Sequence, residues 1–255
     1  MLTNELPISV QLQFMRPSQL EAAARAFPVV YVPMGLIEWH GRHLPLGNDA
    51  LKAHAILVKT AEQFGGVVYP PVYFPYATYG EGSHEELHED DVAFRLPLMR
   101  ALFEQLKATG FRVILGVSGH NIPEQVELVD RALAPVIADG TVTGMGLQEI
   151  TLSKCDESAS DHAAKWETSN MMFLYPDLVD LPALGTGPLA PRMKPPDGIW
   201  GLDPREHASA ETGRRNVELA AAAIGRKAAE LLESLPAEHR AFGLPAVSPE
   251  HWWKV

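Results

Sequence analysis

The sequence predicts a layered α/β/α domain with a mainly parallel central sheet. Two short runs rich in β-branched residues, at 29–32 and 111–117, have the apolar character of strands buried on both faces. Segments with helical periodicity follow each run, and strands that alternate with helices are typical of parallel α/β sheets. We expect right-handed connections between these strands.

Length and composition fit one such domain. The chain has 255 residues, of which 46% are hydrophobic, enough for a single large core, so we predict one domain over residues 1–255. The 21 basic and 32 acidic residues give a formal net charge of −11. This charge makes nucleic acid and anionic membranes unfavourable partners, and no apolar run approaches the ~20 residues of a membrane span.

Cysteine usage and the N-terminal segment bear on the compartment. Cys155 is the single cysteine, which excludes an internal disulfide and is typical of a reducing compartment. Residues 1–14 lack the basic region and long apolar core of a signal peptide. We therefore expect a cytoplasmic protein.

Helix and turn signals surround the first strand. A short helix capped near Ser18 is expected before it. The strand itself, Val29 to Val32, is expected to end at Pro33 and Gly35. A helix of about four turns then begins just after Asp49 and ends at a Gly–Gly pair.

The following segments continue the alternation. Prolines interrupt an extended segment at 67–76, and the acidic stretch 77–91 is predicted to be a loop. The next helix is predicted to bury Leu98, Met99, Leu102, Phe103 and Leu106. The later elements are predicted to be the strand at 111–117, a helix opened by Pro123, a strand within 140–153, a helix ended by Pro176, an ordered helix-free loop over 185–211, and an amphipathic helix from Val217 to Leu231.

Polar groups of metal-ligand type follow the two clear strands. Residues two apart in an extended segment point the same way, so Glu38 and His40 can face one point, with Asp49 after the turn. The second strand brings His120 to the same sheet edge. Carboxylates and imidazoles at that edge suit a divalent metal. A polar loop with Asp49 as a helix cap is the alternative on spacing alone.

Motifs of other enzyme classes are missing from the sequence. No glycine-rich dinucleotide motif follows the first strand, and no Walker loop occurs. There is no GxSxG nucleophile motif, and Cys155 has no recognisable Cys/His setting. Metal chemistry is the hypothesis that remains.

Four segments together resemble the creatininase (creatinine amidohydrolase) family. They read GLIEWHGRHLPLGND, GVSGHN, DHAAKWETSNMM and GIWGLDPREHASAETG, in that order. The resemblance covers residues 29–224 and implies a creatininase-like fold, a small-molecule substrate and two divalent metal ions, zinc or manganese. It also implies a homo-oligomer, commonly a hexamer, for which Trp252 and Trp253 offer apolar surface.

The resemblance assigns roles to individual residues. Glu38, Asp49 and His120 fall on ligands of one metal ion, and His40 and Asp49 on ligands of the other, with Asp49 bridging. His162 falls on the histidine beside the scissile bond. Glu167 falls on the family's later conserved acid.

Two departures from the family pattern bear on the substrate and the second ion. Creatininase itself has a metal-binding glutamate at the position of Ile122. Glu167 is the better replacement and Glu124 the weaker one, while a cap or salt bridge on its own helix is the alternative role of Glu167. The family's substrate loop is rewritten as YGEGSHEELHEDD, residues 79–91, so we expect a substrate other than creatinine.

The hypothesis is a metal-dependent amidohydrolase that cleaves a cyclic amide or related C–N bond. A metal-bridging hydroxide would attack, and His162 would carry the proton to the leaving nitrogen. Alternatives within the family are cleavage of a formamide, of a peptide or of a ring ketone. An alternative of another class is a metal-stabilised binding protein without turnover.

Other polar and aromatic residues have two interpretations each. His43 could orient a ligand or only pack, and Trp166 could stack on a substrate or belong to the core. His84 and His88 could bind metal, although a solvated acidic loop is favoured. His54 is interpreted as an ordinary helix residue and Glu211 as an acid at a helix N-terminus.

Overall fold

The computed structural model describes residues 7–75, 89–150, 152, 161–191, 194 and 196–243. Within these residues, five strands form one sheet, and all of its strand pairings are parallel. The predictions for His84, His88, Cys155, Trp252 and Trp253 lie outside the described residues. The strands are β1 (Val29–Ile37), β2 (Val67–Val68), β3 (Val72–Pro75), β4 (Val113–Ser118) and β5 (Thr143–Gln148).

Strand β1 lies inside the sheet, with β4 on one side and β2 followed by β3 on the other. It extends to Ile37, so the prediction that Pro33 and Gly35 end it is wrong. Pairing on the second side passes from β2 at Tyr31 to β3 at Met34. Pro33 lies in that gap, where its missing N–H costs no ladder hydrogen bond.

Helices cover both faces of the sheet, which confirms the predicted α/β/α layering. Even-numbered residues of β1 pack with α3 and α4, and odd-numbered residues pack with α2, α5 and α7. No helix in the described part of the chain is long and apolar enough to cross a membrane. The helices are α1 (Pro17–Ala26), α2 (Asn48–Phe64), α3 (Glu89–Thr109), α4 (Pro123–Ile137), α5 (Lys165–Leu174), α6 (Pro204–His207) and α7 (Ala210–Ser234).

Helix α3 differs from its prediction at two points. It begins at Glu89, so the end of the acidic stretch is helical rather than a loop. Leu98 is 49% exposed, whereas Met99, Phe103 and Leu106 are buried. Spacings of four and three residues place these three side chains on one face, and Leu98 lies about 100° away from Met99 around the helix.

Two further details of the helices differ from their predictions. Helix α1 is capped by Arg16 rather than Ser18, because Pro17 occupies the first helical position, where no N–H is needed. The segment 185–211 is not helix-free, since it contains α6. The side chain of Asp203 caps α6 by accepting a hydrogen bond from the N–H of Arg205.

Candidate metal centre

Two glycines bring the start of α2 against the sheet edge. A Cβ atom added to Gly35 would collide with the backbone of Asp49 and Ala50, and one added to Gly119 would collide with the carbonyl group of Asp49. Any side chain at either position would therefore displace Asp49. These glycines allow the Asp49 carboxylate to lie between the ends of β1 and β4.

The first group of converging side chains consists of Glu38, Asp49 and His120. The Nδ1 atom of His120 lies 2.9 Å from Oε2 of Glu38 and 3.4 Å from Oδ2 of Asp49. All three residues are buried. Their ligand atoms lie close enough together to hold one metal ion.

The second group consists of His40, Asp49 and Glu167. The Nε2 atom of His40 lies 3.0 Å from Oδ1 of Asp49 and 3.5 Å from Oε2 of Glu167. The other ring nitrogen, Nδ1, lies 3.1 Å from the carbonyl oxygen of Glu38. Because a carbonyl only accepts, Nδ1 carries the hydrogen, and this orientation is typical of a metal-binding histidine.

Asp49 belongs to both groups and contributes a different oxygen to each. Its Oδ1 atom faces His40 and its Oδ2 atom faces His120. This arrangement matches a carboxylate that bridges two cations.

His162 lies beside both groups. Its ring stacks on that of His40, with centroids 4.5 Å apart, and its Nδ1 atom lies 3.9 Å from Oε1 of Glu38. Its Nε2 atom lies 3.0 Å from the carbonyl oxygen of Trp39, so Nε2 carries the hydrogen. Glu38, His40 and His162 form a third possible ion-binding group, which the sequence did not indicate.

The turn before α5 directs His162 and Glu167 to the same place. The carboxylate of Asp161 accepts hydrogen bonds from the N–H groups of Trp166 and Glu167, at 2.6 and 3.2 Å. The N–H of Ala163 donates to Oε2 of Glu167 at 2.7 Å, and Ala163 has a φ of 51°. This non-helical turn reverses the divergence that a continuous helix would impose.

A strap, residues 197–202, holds the loop that follows β1. The guanidinium group of Arg42 forms a salt bridge with Asp197 at 2.8 Å, and the backbones of His162 and Trp200 exchange two hydrogen bonds of 2.9 Å. Gly198 packs against the ring of Trp39. The strap therefore links the loop that follows β1 to the turn that carries His162, as expected of an ordered segment.

Sequence reasoning missed two charged residues of the centre, Lys52 and Glu149. The Nζ atom of Lys52 lies 2.6 Å from Oε1 of Glu167 and 3.0 Å from Oε1 of Glu149. Lys52 follows Asp49 by three residues, which places both on one side of α2. Glu149 directly follows β5, so the rule that sites lie at strand ends would have found it.

The pKa values of the centre reflect its excess of carboxylates. Burial alone would lower the pKa of His40, but Asp49, Glu167 and Glu38 outweigh burial and raise it to about 10. Hydrogen bonds to Asp49 and Glu38 likewise outweigh burial and raise the pKa of His120 to about 10. The centre attracts positive charge, which protons supply in the metal-free protein.

Three neighbouring groups titrate differently. Burial and the charge of His40 lower the pKa of His162, and the same two causes lower that of His43 to about 4. Burial and the charge of Glu167 raise the pKa of Asp161 to about 7. His162 is thus a neutral imidazole with an unprotonated Nδ1 atom near pH 7.

The two candidates for the third carboxylate occupy different places. Glu167 belongs to the second group, whereas Glu124, in the first turn of α4, belongs to none of the groups found among the described residues. Ile122 is the residue that precedes α4. The geometry therefore favours Glu167 over Glu124.

The remaining candidate residues lie further from the centre. The Nε2 atom of His43 lies 2.9 Å from Oγ1 of Thr168, the residue after Glu167. His43 therefore contacts helix α5 next to a residue of the second group. The buried His54 lies on α2. Trp166 is partly buried, and the ammonium group of Lys165 lies over its ring. Glu211 forms a salt bridge with Arg214 in the first turn of α7.

Known proteins resemble this chain over most of its length. The family model for creatininase, described as creatinine amidohydrolase, matches residues 13–227. The creatinine amidohydrolase of Pseudomonas putida is 28% identical over 199 residues, which cover 69% of this chain and 75% of the relative. The mycofactocin precursor peptide peptidase of Mycolicibacterium smegmatis is 32% identical over 179 residues, which cover 66% of this chain and 68% of the relative.

A solved structure agrees with these relatives. A crystal structure of creatinine amidohydrolase superposes with a TM-score of 0.71 over 88% of this chain and 98% of the other, at 22% identity. This likeness establishes the shared fold. The matched family model covers most of the chain, including all the residues of the three groups. The chain belongs to the creatininase family.

Proposed function

We propose that this protein is a metal-dependent amidohydrolase that uses two divalent ions at the shared carboxylate of Asp49. The observation that carries the proposal is the overlap of two ion-binding groups at one residue, directly beside His162. Members of this family hydrolyse amide bonds. The proposal adds the metal dependence and the roles of individual residues.

The donor atoms suit two divalent ions. Glu38, Asp49 and His120 would hold the first ion, and His40, Asp49 and Glu167 the second. The burial of Glu38 supports this assignment, because a buried carboxylate is costly unless a cation binds it, and its partners here are the ring nitrogens of His120 and His162. Imidazole and carboxylate donors suit zinc and manganese alike, and solved structures include a manganese form of creatininase and a zinc–zinc form of a creatininase mutant.

The bound ions would supply a nucleophilic water at neutral pH and polarise the scissile carbonyl group. His162 would then move the proton. Its Nε2–H remains bonded to the carbonyl group of Trp39, so Nδ1 is the atom that accepts a proton and passes it to the leaving nitrogen. The lowered pKa of His162 keeps Nδ1 unprotonated for this step.

The substrate we propose is a small molecule with a cyclic amide or a related C–N bond. Similarity to a peptide peptidase at 32% identity favours a peptide amide as a second candidate. The same residues serve both substrates, because the chemistry at the carbonyl group and the leaving nitrogen is the same. The shape of the pocket around the centre would determine whether the substrate is a cyclic amide or an extended peptide.

Metal analysis and activity profiling test the proposal together. The purified protein should contain about two zinc or manganese ions per chain. It should also hydrolyse at least one member of a panel of lactams, formamides, cyclic ketones and short peptides, and lose that activity on chelation. A carefully purified protein without stoichiometric metal would refute the proposal, and metal without turnover would favour a binding protein.

We also propose a homo-oligomer. Phe94 and Leu98 are 59% and 49% exposed and lie one turn apart on α3, where an isolated chain would leave them in water. Light scattering at micromolar concentration should give a multiple of the mass of one chain, 27.9 kDa. A mass of one chain would contradict this proposal.

A further inference from the structure

Lys52 is a buried cation within a predominantly acidic centre. Its side chain is 0% exposed, and a buried lysine is tolerated only when carboxylates pair with it. It has two such partners, Glu149 and Glu167, and all three residues are buried.

The two carboxylate oxygens of Glu167 have different partners, and Lys52 contacts one of them. Oε1 receives the ammonium group of Lys52 at 2.6 Å. Oε2 accepts the N–H of Ala163 at 2.7 Å and faces Nε2 of His40 at 3.5 Å. Lys52 therefore holds one oxygen and leaves the other to the second ion-binding group.

The charge of Lys52 would oppose an ion in that group, because like charges a few ångströms apart in a buried site repel strongly. Glu149 cancels this charge. It lies 3.0 Å from Lys52 and also accepts a hydrogen bond from Nδ2 of Asn121 at 3.2 Å. Its Oε2 atom is buried without a hydrogen bond from the described residues, so the ion pair with Lys52 is what offsets the cost of burying it.

The first ion-binding group has no comparable lysine. Among the described residues, Glu38 forms its ion pairs with His120 and His162. Asp49 belongs to both groups, so the difference between the groups lies in Glu38, which pairs with histidines. Glu167, in the second group, already shares its charge with Lys52.

We propose that Lys52 is a positioning residue that holds Glu167 for the second ion, and that Glu149 neutralises Lys52 so that this ion can bind. The inference rests on the proposed function. It means that the two ions bind with unequal affinity, the ion at Glu38 and His120 more tightly. Neither Lys52 nor Glu149 contacts the reacting atoms.

Calorimetric titration of the metal-free protein with Mn²⁺ tests this inference, because it resolves the two binding steps without using activity. Glu149→Gln keeps the shape of the side chain and leaves the charge of Lys52 uncompensated. We expect the second step to weaken by at least about tenfold and the first to stay within about threefold of wild type. Equal weakening of both steps, or no change in either, would overturn the inference.

The double variant Lys52→Met with Glu149→Gln separates the effect of the charge of Lys52 from its effect on the position of Glu167. It removes the two opposite charges together, so it leaves no unpaired buried charge and can be used if Glu149→Gln folds poorly. The second step should recover part of its affinity, because the repulsion is gone, but remain weaker than in wild type, because Glu167 is no longer held. Affinity no better than that of Glu149→Gln would overturn the charge role. Full wild-type affinity would overturn the positioning role.

The wild-type titration separates this inference from the proposed function. A wild type that binds no Mn²⁺ would refute the proposed function itself. Two steps of unequal affinity in wild type, with the second sensitive to Glu149→Gln, would support both. Two steps that are equal in wild type and unaffected by the variants would overturn only the inference.

Discussion

The two halves of the candidate centre are held in different ways. Glu38, Asp49 and His120 follow strands or begin a helix, and the register of β1 with β4 fixes their separation. His162 and Glu167 lie on a turn and the start of α5, which hydrogen bonds from backbone N–H groups to carboxylates hold in place. We call these the sheet half and the helix half.

This difference shows where each half is sensitive to substitution. The sheet half depends on close backbone contact, as at Gly35 and Gly119, and on the register of a buried sheet. The helix half depends on polar groups that compensate one another, Asp161, Lys52 and Glu167 among them. Substitutions in the sheet half should therefore remove the centre, and those in the helix half should change how it works.

Asp49→Asn should have the largest effect, because Asp49 belongs to both ion-binding groups. The amide keeps the shape but removes the negative charge, so bound metal should fall from about two ions to well below one, with complete loss of activity. Elemental analysis checks this. Asp139→Asn, which alters an exposed carboxylate that pairs with Lys107, is the matched control and should keep both ions.

Glu167→Gln should have the next largest effect and distinguishes the two ions. It removes a ligand of the second group only, so metal content should fall from about two ions to about one, and activity should be lost while the fold is kept. Glu124→Gln is the matched control and should keep both ions. If instead Glu167→Gln retains both ions and Glu124→Gln loses one, our ligand assignment is wrong.

His162→Ala should lower turnover without removing metal. A group that only moves a proton contributes a rate factor of about 10²–10⁴, so kcat should fall by that much while both ions remain. His207→Ala, which alters a histidine with 45% side-chain exposure, should leave kcat unchanged. Metal-dependent turnover equal to wild type in His162→Ala would exclude His162 from the mechanism.

Ion binding should depend on pH through one histidine in each ion-binding group. His120 in the first group and His40 in the second have pKa values raised to about 10 in the metal-free protein. Each ion must displace one proton, so each affinity should rise about tenfold per pH unit between pH 7 and 9. Calorimetry in buffers of different protonation enthalpy should count about one proton per ion.

A control and a stability measurement accompany this prediction. His162→Ala should leave the proton count unchanged, because the pKa of His162 is lowered and its Nδ1 atom carries no proton at these pH values. Raised pKa values stabilise the metal-free fold below about pH 6.5, and this stability is lost as the pH rises through about 10. A metal-free melting temperature constant from pH 7 to 10, with no proton release, would contradict the prediction.

The sheet half could be predicted from the sequence because strand ends are visible as local patterns. The apolar run before Glu38 and the run before His120 predict two neighbouring parallel strands, and their carboxyl ends meet at one edge. Pro33 obscured the true length of β1, since its tolerance depends on pairing with β2 and β3, which lie far away in sequence.

The helix half could be predicted only through the family resemblance. Lys52 was missed because one lysine on an amphipathic helix is usually a solvated residue. Its burial follows from Glu149 and Glu167, which are distant in sequence and meet it only in the folded chain. Leu98 was assigned to the core for a related reason: several apolar residues on α3 compete for the buried face, and packing decides among them.

Ala163→Gly should have the smallest effect and tests whether hydrogen bonds or backbone preference holds the helix half. Ala163 has a φ of 51°, where alanine is disfavoured by ~1 kcal/mol and glycine is not. Glycine also loses about 0.5–1 kcal/mol through its extra freedom in the unfolded chain. The free energy of unfolding should therefore change by less than about 1 kcal/mol in denaturant titration. The N–H at position 163 still donates to Glu167, so both ions should remain and kcat should fall by less than about tenfold. If Ala163→Gly instead loses the second ion, the backbone conformation of the turn positions Glu167, and its hydrogen bonds do not. The helix half would then depend on backbone geometry as the sheet half does.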